Sequence, residues 1–319
     1  MNYNYRSGIF SGSTCHILEF NPKEVRFDTT VGIRNKLEPL SKIEDPKKGN
    51  DEVAVAKING GFFAMNGKTE HIGTFVDEGL YYNMASSMYP TAVFGKDFKL
   101  ALDQHPSQDK LSEYQKTAFW AIGCPWLLVK DGKANYLYNK NELIAAFGHP
   151  YQKAPRTMMG QKKDGTIVWV VVDGRKAKSP GYTIINQSNL MIDLGCEIAF
   201  NLDGGGSSEM IIDGKIVNRP SDGVERYIGT AFVAYAKKNV KKAPIKVDRP
   251  EVVGIRGIVV SNSGLIIRET ASTASARLTA MPRGAAVTVL NRGKKEEGFY
   301  KVRFNGITGY SYAPFIKLS

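Results

Sequence analysis

Several features that mark common protein classes are scarce or missing in this sequence. Cysteine is rare: Cys15, Cys124 and Cys196 are far apart among 319 residues and form no Cys-x-x-Cys pair. That spacing excludes a disulfide framework and a thiolate zinc site, while one bridge stays open. Cys196 reads as a small buried apolar residue. No run approaches the ~20 apolar residues of a membrane-spanning helix. The first residues, Met1-Asn2-Tyr3-Asn4-Tyr5-Arg6, lack the apolar core of a secretory leader. The expectation is a chain whose leader was removed, or one released by lysis as virion parts are. No Gly-x-x-x-x-Gly-Lys-Ser/Thr loop occurs, so nucleoside triphosphate use is not expected. No Gly-x-Ser-x-Gly motif or Ser-His-Asp order supports a serine nucleophile. Of four histidines, His16, His105 and His149 belong to no constellation. His71, in Thr69-Glu70-His71-Ile72-Gly73, reads first as structural.

Charge is present but uneven. Residues 1–236 carry 27 Lys and Arg against 26 Asp and Glu, while residues 237–319 carry 16 against 5. The net charge of +12 therefore resides almost wholly in the last quarter of the chain. A basic module beside a nearly neutral one suggests a polyanionic partner. The length favours two domains, and 42% hydrophobic residues suffice for a sizeable core.

The most informative stretch is Ile198-Ala199-Phe200-Asn201-Leu202-Asp203-Gly204-Gly205-Gly206-Ser207-Ser208. Its apolar half reads as a buried strand that ends in a carboxylate. Three glycines and two hydroxyls follow, a loop able to approach a phosphate or sugar closely and offer donors to it. A second apolar run, Thr166 to Val172, reads as a central strand buried on both faces and delivers Asp173. Tyr182 to Leu194 reads as a helix with Gly195 as its stop. Strand, helix and strand form a crossover unit, so Asp173 and Asp203 are expected at one edge of one sheet. The expected class is α+β or α/β with a mixed sheet.

The run Asn201 to Ser208 resembles the signature of the phosphodiester glycosidase family. Ile58-Asn59-Gly60-Gly61-Phe62-Phe63, Pro155-Arg156-Thr157, Val172-Asp173-Gly174-Arg175 and Val217 to Gly223 match other blocks of that family in order. The resemblance covers roughly residues 10–236. It implies an enzyme that removes a sugar from a phosphodiester, with Asp173 and Asp203 as catalytic carboxylates. It also implies a substrate-binding set of Asn59, Gly60, Arg156, Arg175, Gly204, Gly205, Gly206, Ser207, Ser208 and Arg219. The chemistry is coherent. Glycoside cleavage uses two carboxylates, and arginine can hold phosphate oxygens with two parallel hydrogen bonds. Phe62 and Phe63 offer a stacking ring or core, and Glu209 is expected to face solvent. No cofactor is required by this reading. A divalent cation stays open, because Asp203 and loop carbonyls are oxygen ligands of the kind Ca²⁺ or Mg²⁺ takes, although no metal cage is recognisable.

After a basic, proline-containing linker at 237–251, residues 252–319 resemble a bacterial SH3 (SH3b) domain, a small all-β barrel. The matching runs are Gly264 to Ser272, Pro282 to Leu290 and Phe299 to Tyr310, with Asn305-Gly306 as a hairpin signal. Phe299 stands where many relatives have Trp, and Pro314 interrupts the last strand. Domains attached to wall hydrolases in this way resemble cell-wall binders. The combined expectation is a 1–236 glycosidase domain held at a Gram-positive-type wall, outside the cell or on a virion. Its partner would be an anionic glycopolymer such as teichoic acid, rather than nucleic acid or a membrane. The alternatives are a non-catalytic glycan-binding or phage tail component and, third, a peptidoglycan hydrolase. Oligomeric state is unknown from the sequence.

Overall fold

A computed structural model describes residues 3–31, 37–44, 48–64, 71–77, 80–83, 90–104, 106–124, 126–135, 150–238, 255–290, 295–304 and 307–318. Most of the 237–251 linker and the Asn305-Gly306 tip therefore lie outside the described residues, as do His105 and His149. Contacts divide the chain into two compact units, Met1–Ser7 with Gly12–Val247, and Gly8–Ser11 with Asp248–Ser319.

The first unit is mainly β-sheet. A seven-stranded sheet runs Tyr3–Phe10, Ser13–Phe20, Ile167–Val172, Arg156–Lys162, Cys196–Asn201, Leu127–Lys130 and Lys133–Ala134 in spatial order. A five-stranded sheet orders Lys215–Ile216, Met210–Ile212, Glu52–Asn59, Thr230–Lys237 and Arg26–Val31. A second five-stranded sheet orders Leu80–Asn83, Phe75–Asp77, Ala118–Gly123, Thr91–Gly95 and Leu100–Asp103. All three contribute to one aromatic core. Trp120 packs edge-on against Phe232 at 4.9 Å, and Trp169 lies 6.5 Å from the same ring. Truncating such a ring to alanine costs about 3–5 kcal/mol.

The α/β expectation is corrected in one respect. The described strand pairings of this unit are antiparallel, and its described helices are two ten-residue segments, Gln108–Thr117 and Ile184–Asp193. The crossover itself is present. Ile184–Asp193 starts at a capping box, in which Thr183 Oγ1 accepts from the Asn186 N–H and Asn186 Oδ1 accepts from the Thr183 N–H. It stops at Gly195, whose φ is +82°. It joins Ile167–Val172 to Cys196–Asn201, which run parallel because both pair antiparallel to the strand between them, Arg156–Lys162. One strand, Arg156–Lys162, thus lies between the two parallel strands of the crossover. Ile167–Val172 is buried throughout, as its unbroken β-branched and aromatic run requires.

The second unit is all-β. Its strands order Arg277–Met281, Leu265–Arg268, Ile307–Tyr312, Phe299–Phe304, Ala286–Val289, Ile255–Val259 and Ile316–Leu318, with Lys295–Glu296 beside Phe299–Phe304. They enclose a core that includes Ile267, Met281, Val289, Val302 and Ile316. Pro314 lies in a short turn, Ala313–Phe315, before the last strand.

Candidate active site

Strand order explains why the motif residues meet. Asp173 follows one strand of the seven-stranded sheet, Asp203 follows another, and Arg156 heads the strand between them. With strands about 4.8 Å apart, the two aspartate backbones lie roughly 10 Å from each other. Pro155 is wedged into the gap: a Cβ on Gly174 would collide with it, and its carbonyl accepts from Gly205 N–H at 2.9 Å.

Asp203 is half-buried. Its Oδ1 accepts from the Gly204 N–H at 2.8 Å. Burial pushes its carboxyl up to about 6; the Ser207 hydroxyl, the Gly204 N–H and Arg226 pull the other way. Below that value Asp203 holds a proton, a property suited to a general acid. Asp173 is buried. Its Oδ1 accepts from the Arg219 N–H at 2.9 Å, and its Oδ2 lies 3.7 Å from His16 Nε2. His16, in no constellation by sequence, is therefore paired with a candidate catalytic residue, which corrects that expectation.

The arginines differ in setting. Arg156 is buried, donates from Nε to the Tyr182 carbonyl at 3.0 Å and from Nη2 to the Gln152 carbonyl at 2.9 Å, and lies 5.2 Å over the Trp126 ring. Burial and neighbouring Arg175 lower its pKa to about 10, which still leaves it charged at neutral pH. Arg175 is half exposed, and its Nη1 reaches Ser221 Oγ and Asp222 Oδ1, both at 3.3 Å. It arches over the glycine loop: Gly205 takes φ +62°, and a Cβ there would sit 3.1 Å from Arg175 Nη2. Arg219 has an exposed side chain and contributes its main-chain N–H to Asp173.

Asn59 and Gly60 act from the five-stranded sheet. Asn59 Nδ2 donates to the Asp203 carbonyl at 2.7 Å, and its Oδ1 accepts from Thr157 Oγ1 at 2.7 Å and Glu209 N–H at 3.2 Å. Gly60 donates to the Thr230 carbonyl at 2.8 Å and accepts from the Asp203 N–H at 3.0 Å. Both residues, picked from the motif as substrate contacts, spend these groups on holding the Asp203 loop in place. Asn218 braces the far side of that loop through Ser208 and Met210. Ser207 and Ser208 are both buried, and Ser208 Oγ has no hydrogen-bond partner among the described residues.

Three further expectations are settled by burial. Glu209 does not face solvent: it is 2% exposed, and burial together with Glu225 raises it to about 8. His71 stacks on Phe75 at 4.0 Å and is lowered to about 4 by burial, so it is a neutral core residue near pH 7. Phe63 is in the core, whereas Phe62 is half-buried and meets Trp126 edge-on at 6.1 Å. All three cysteines are buried free thiols. No cluster of three or more His, Cys, Asp or Glu able to hold a metal occurs among the described residues, and no described helix is long and apolar enough to cross a membrane.

Comparison with known proteins follows the same division. The sequence profile described as Phosphodiester glycosidase matches residues 52–235, more than half the chain, and that described as Bacterial SH3 domain matches 263–317. An uncharacterised prophage-derived protein of Bacillus subtilis (strain 168), YomE, is 34% identical over 189 residues, which cover 57% of this chain and 28% of that protein. The N-acetylglucosamine-1-phosphodiester alpha-N-acetylglucosaminidase of Bos taurus is 27% identical over 177 residues, covering 51% of this chain and 32% of that one. The chain thus spans about a third or less of the length of these curated relatives. The catalytic domain of the zebrafish enzyme of the same name, auto-inhibited by its pro-peptide, superposes with a TM-score of 0.59 at 20% identity, over 73% of this chain and 81% of that one. At that identity the likeness is one of fold.

Proposed function

The chain belongs to the phosphodiester glycosidase family, and from that premise we propose that it hydrolyses the bond between the anomeric carbon of a sugar and a phosphodiester oxygen. Water adds its oxygen to the anomeric carbon. The phosphate leaves as a monoester, and a free sugar is released. The observation that carries this reading is the placement of Arg156 at the head of a strand flanked by the two that end in Asp173 and Asp203. Two carboxylates and a cation converge at one sheet edge, the set that glycoside cleavage from a phosphate needs. Asp203, which keeps its proton up to about pH 6, serves as acid, and Asp173 is the second carboxylate. Arg175 and Arg156 hold the phosphate, which needs charge stabilisation more than protonation as it leaves.

The substrate we favour is a sugar phosphate repeat in an anionic wall polymer such as teichoic acid, with the SH3 unit holding the enzyme at the wall outside the cell or on a virion. Ten Lys and Arg against three Asp and Glu in residues 255–319 support an anionic partner. Tyr312 and Phe315, both exposed and 6.0 Å apart, provide rings against which a glycan or peptide can pack. The test is product analysis of the full chain on N-acetylglucosamine-1-phosphodiesters and on purified wall polymer. Release of free sugar and phosphate monoester together supports the reading. Binding without release would make the chain a glycan-binding component, and release of muropeptides would make it a peptidoglycan hydrolase.

A further inference from the structure

Behind Asp173 lies a buried chain of polar groups that the chemistry above does not use. His16 sits on the Ser13–Phe20 strand opposite Val171, two residues short of Asp173 on the neighbouring strand. Its side chain is 6% exposed, with Nε2 facing Asp173 Oδ2 at 3.7 Å. On the other side of the ring, Nδ1 is 2.9 Å from the Tyr5 hydroxyl, and the two rings stack at 6.3 Å with an interplanar angle of 15°. Tyr5 is itself buried, and its hydroxyl is in reach of half-buried Ser7.

The tautomer is inferred from both neighbours of the ring: Nε2 faces a carboxylate, which favours a proton on that nitrogen, and Nδ1 faces a phenol able to donate. Burial raises the Tyr5 phenol, so it keeps its proton and can donate. Nδ1 of His16 then accepts, and the ring proton is left on Nε2, the nitrogen that faces the carboxylate. The other oxygen of Asp173 is already held by the Arg219 N–H. At 3.7 Å the Nε2 contact is beyond hydrogen-bond length but within ion-pair range. Contacts in unliganded catalytic sites are often long and tighten when substrate arrives. A buried imidazole whose Nε2 faces a carboxylate and has no hydrogen-bond partner among the described residues is a poor choice for packing alone, since an apolar side chain would fill the space without an unmet donor.

We propose that Tyr5 and His16 are positioning residues for Asp173: Tyr5 sets the imidazole tautomer, and His16 Nε2–H fixes the carboxylate rotamer and stabilises its charge during the reaction. The inference rests on the reading of Asp173 as a reacting carboxylate. His16→Phe keeps a ring in the core but removes both nitrogens. His16→Gln restores a donor near the Nε2 position, and Tyr5→Phe removes only the hydroxyl.

Expected for His16→Phe is a fall in kcat of about 10- to 100-fold on a sugar-1-phosphodiester, by analogy with the loss of partners that orient metal-ligating side chains, with KM within about twofold. His16→Gln should regain most of the loss. Tyr5→Phe should lose less than His16→Phe, and the double variant His16→Phe with Tyr5→Phe should be no worse than His16→Phe alone, as for residues that act as one unit. Additive losses that follow a falling Tm would overturn the proposal, as would full kcat in His16→Phe when Asp173→Asn is inactive. Full turnover in Asp173→Asn would instead defeat the reading of Asp173 itself. A second readout needs no turnover: nitrogen NMR of histidine-labelled full-length protein. His16 should show a protonated Nε2 and an accepting Nδ1, with Nδ1 shifting in Tyr5→Phe and Nε2 in Asp173→Asn. A proton on Nδ1, with neither variant moving either nitrogen, would overturn the relay.

Discussion

Asn59 Nδ2 donates to the main-chain carbonyl of Asp203 over 2.7 Å, joining the end of a strand in one sheet to the loop that leaves another. The same side chain accepts from Thr157 and from the Glu209 N–H. The Thr157 strand and both ends of the 203–209 loop are thus fixed around one buried amide, and Asp203 takes its position from it.

Asn59→Ala should therefore lower both stability and turnover. It leaves a buried carbonyl, a hydroxyl and an N–H without partners, at about 1–3 kcal/mol each. Thermal unfolding should show a clear fall in Tm, and the folded variant should lose kcat more than KM. Asn59→Asp keeps the acceptor for Thr157 and Glu209 but faces the Asp203 carbonyl with oxygen, so it should be no more active than the alanine variant.

The two arginines should separate. Arg175 is half exposed and held by Ser221 and Asp222, so Arg175→Ala should leave Tm near the parent value. It should lower kcat/KM on a phosphodiester far more than on an aryl glycoside of the same sugar, because charge-assisted bonds worth about 1.5–3 kcal/mol act only on phosphate oxygens. Arg175→Lys should recover only part, since the two-pronged geometry is lost. Arg156, tied to two carbonyls and Trp126, should cost stability as well when replaced. Equal losses on both substrates for Arg175→Ala would remove the phosphate clamp.

The stability contributed by Asp203 and Glu209 should fall as pH rises from about 4 to about 8, while His71, held at about 4 by burial, contributes one opposing rise between about 4 and 6.5. Burial lifts Asp203 to about 6 and Glu209 to about 8. The unfolded chain releases these protons earlier, so across this window it binds fewer protons at these two groups than the folded chain does, and their contribution makes unfolding easier with rising pH. Urea unfolding at several pH values checks this. Glu209→Gln should flatten the slope above about pH 6, while Asp203→Asn should remove its share of the fall between about 4 and 6.

The positions of the motif residues are more legible in the sequence than the architecture that brings them together. The end of an apolar run marks Asp173 and Asp203 as strand-terminal carboxylates, and the helix between them places both at one edge. It gives no sign of the Arg156–Lys162 strand inserted between, because pairing between strands is set by register and packing over the whole sheet rather than by local pattern. The pairing of His16 is hidden for the same reason: its partner is 157 residues away across a strand pair. The one local hint is a histidine within the apolar stretch Cys15-His16-Ile17-Leu18, where a buried polar group needs a partner. The burial of Glu209 leaves no local signal, because a short loop between buried serines and a strand carries no periodicity.

Binding of the full chain to isolated cell walls should weaken as salt rises, because exposed charges are screened within about 10 Å at ~0.1 M. It should also weaken on walls stripped of anionic polymer, and truncation after Val247 should abolish it. Tyr312→Ala with Phe315→Ala should reduce affinity without changing the salt slope, since neither ring carries charge. Salt-insensitive binding, unchanged on stripped walls, would point to recognition of peptidoglycan itself.

The proposed pairing of Asp173 and Asp203 as the reacting carboxylates of a phosphodiester glycosidase has a direct test. The most direct measurement is single-turnover sugar release from an N-acetylglucosamine-1-phosphodiester by the parent chain, Asp173→Asn and Asp203→Asn, each checked for native folding. The expected result is release by the parent and a loss of at least about 100-fold in each variant, the lower end of what general acid–base groups contribute. Near-parental release by both folded variants would contradict the account.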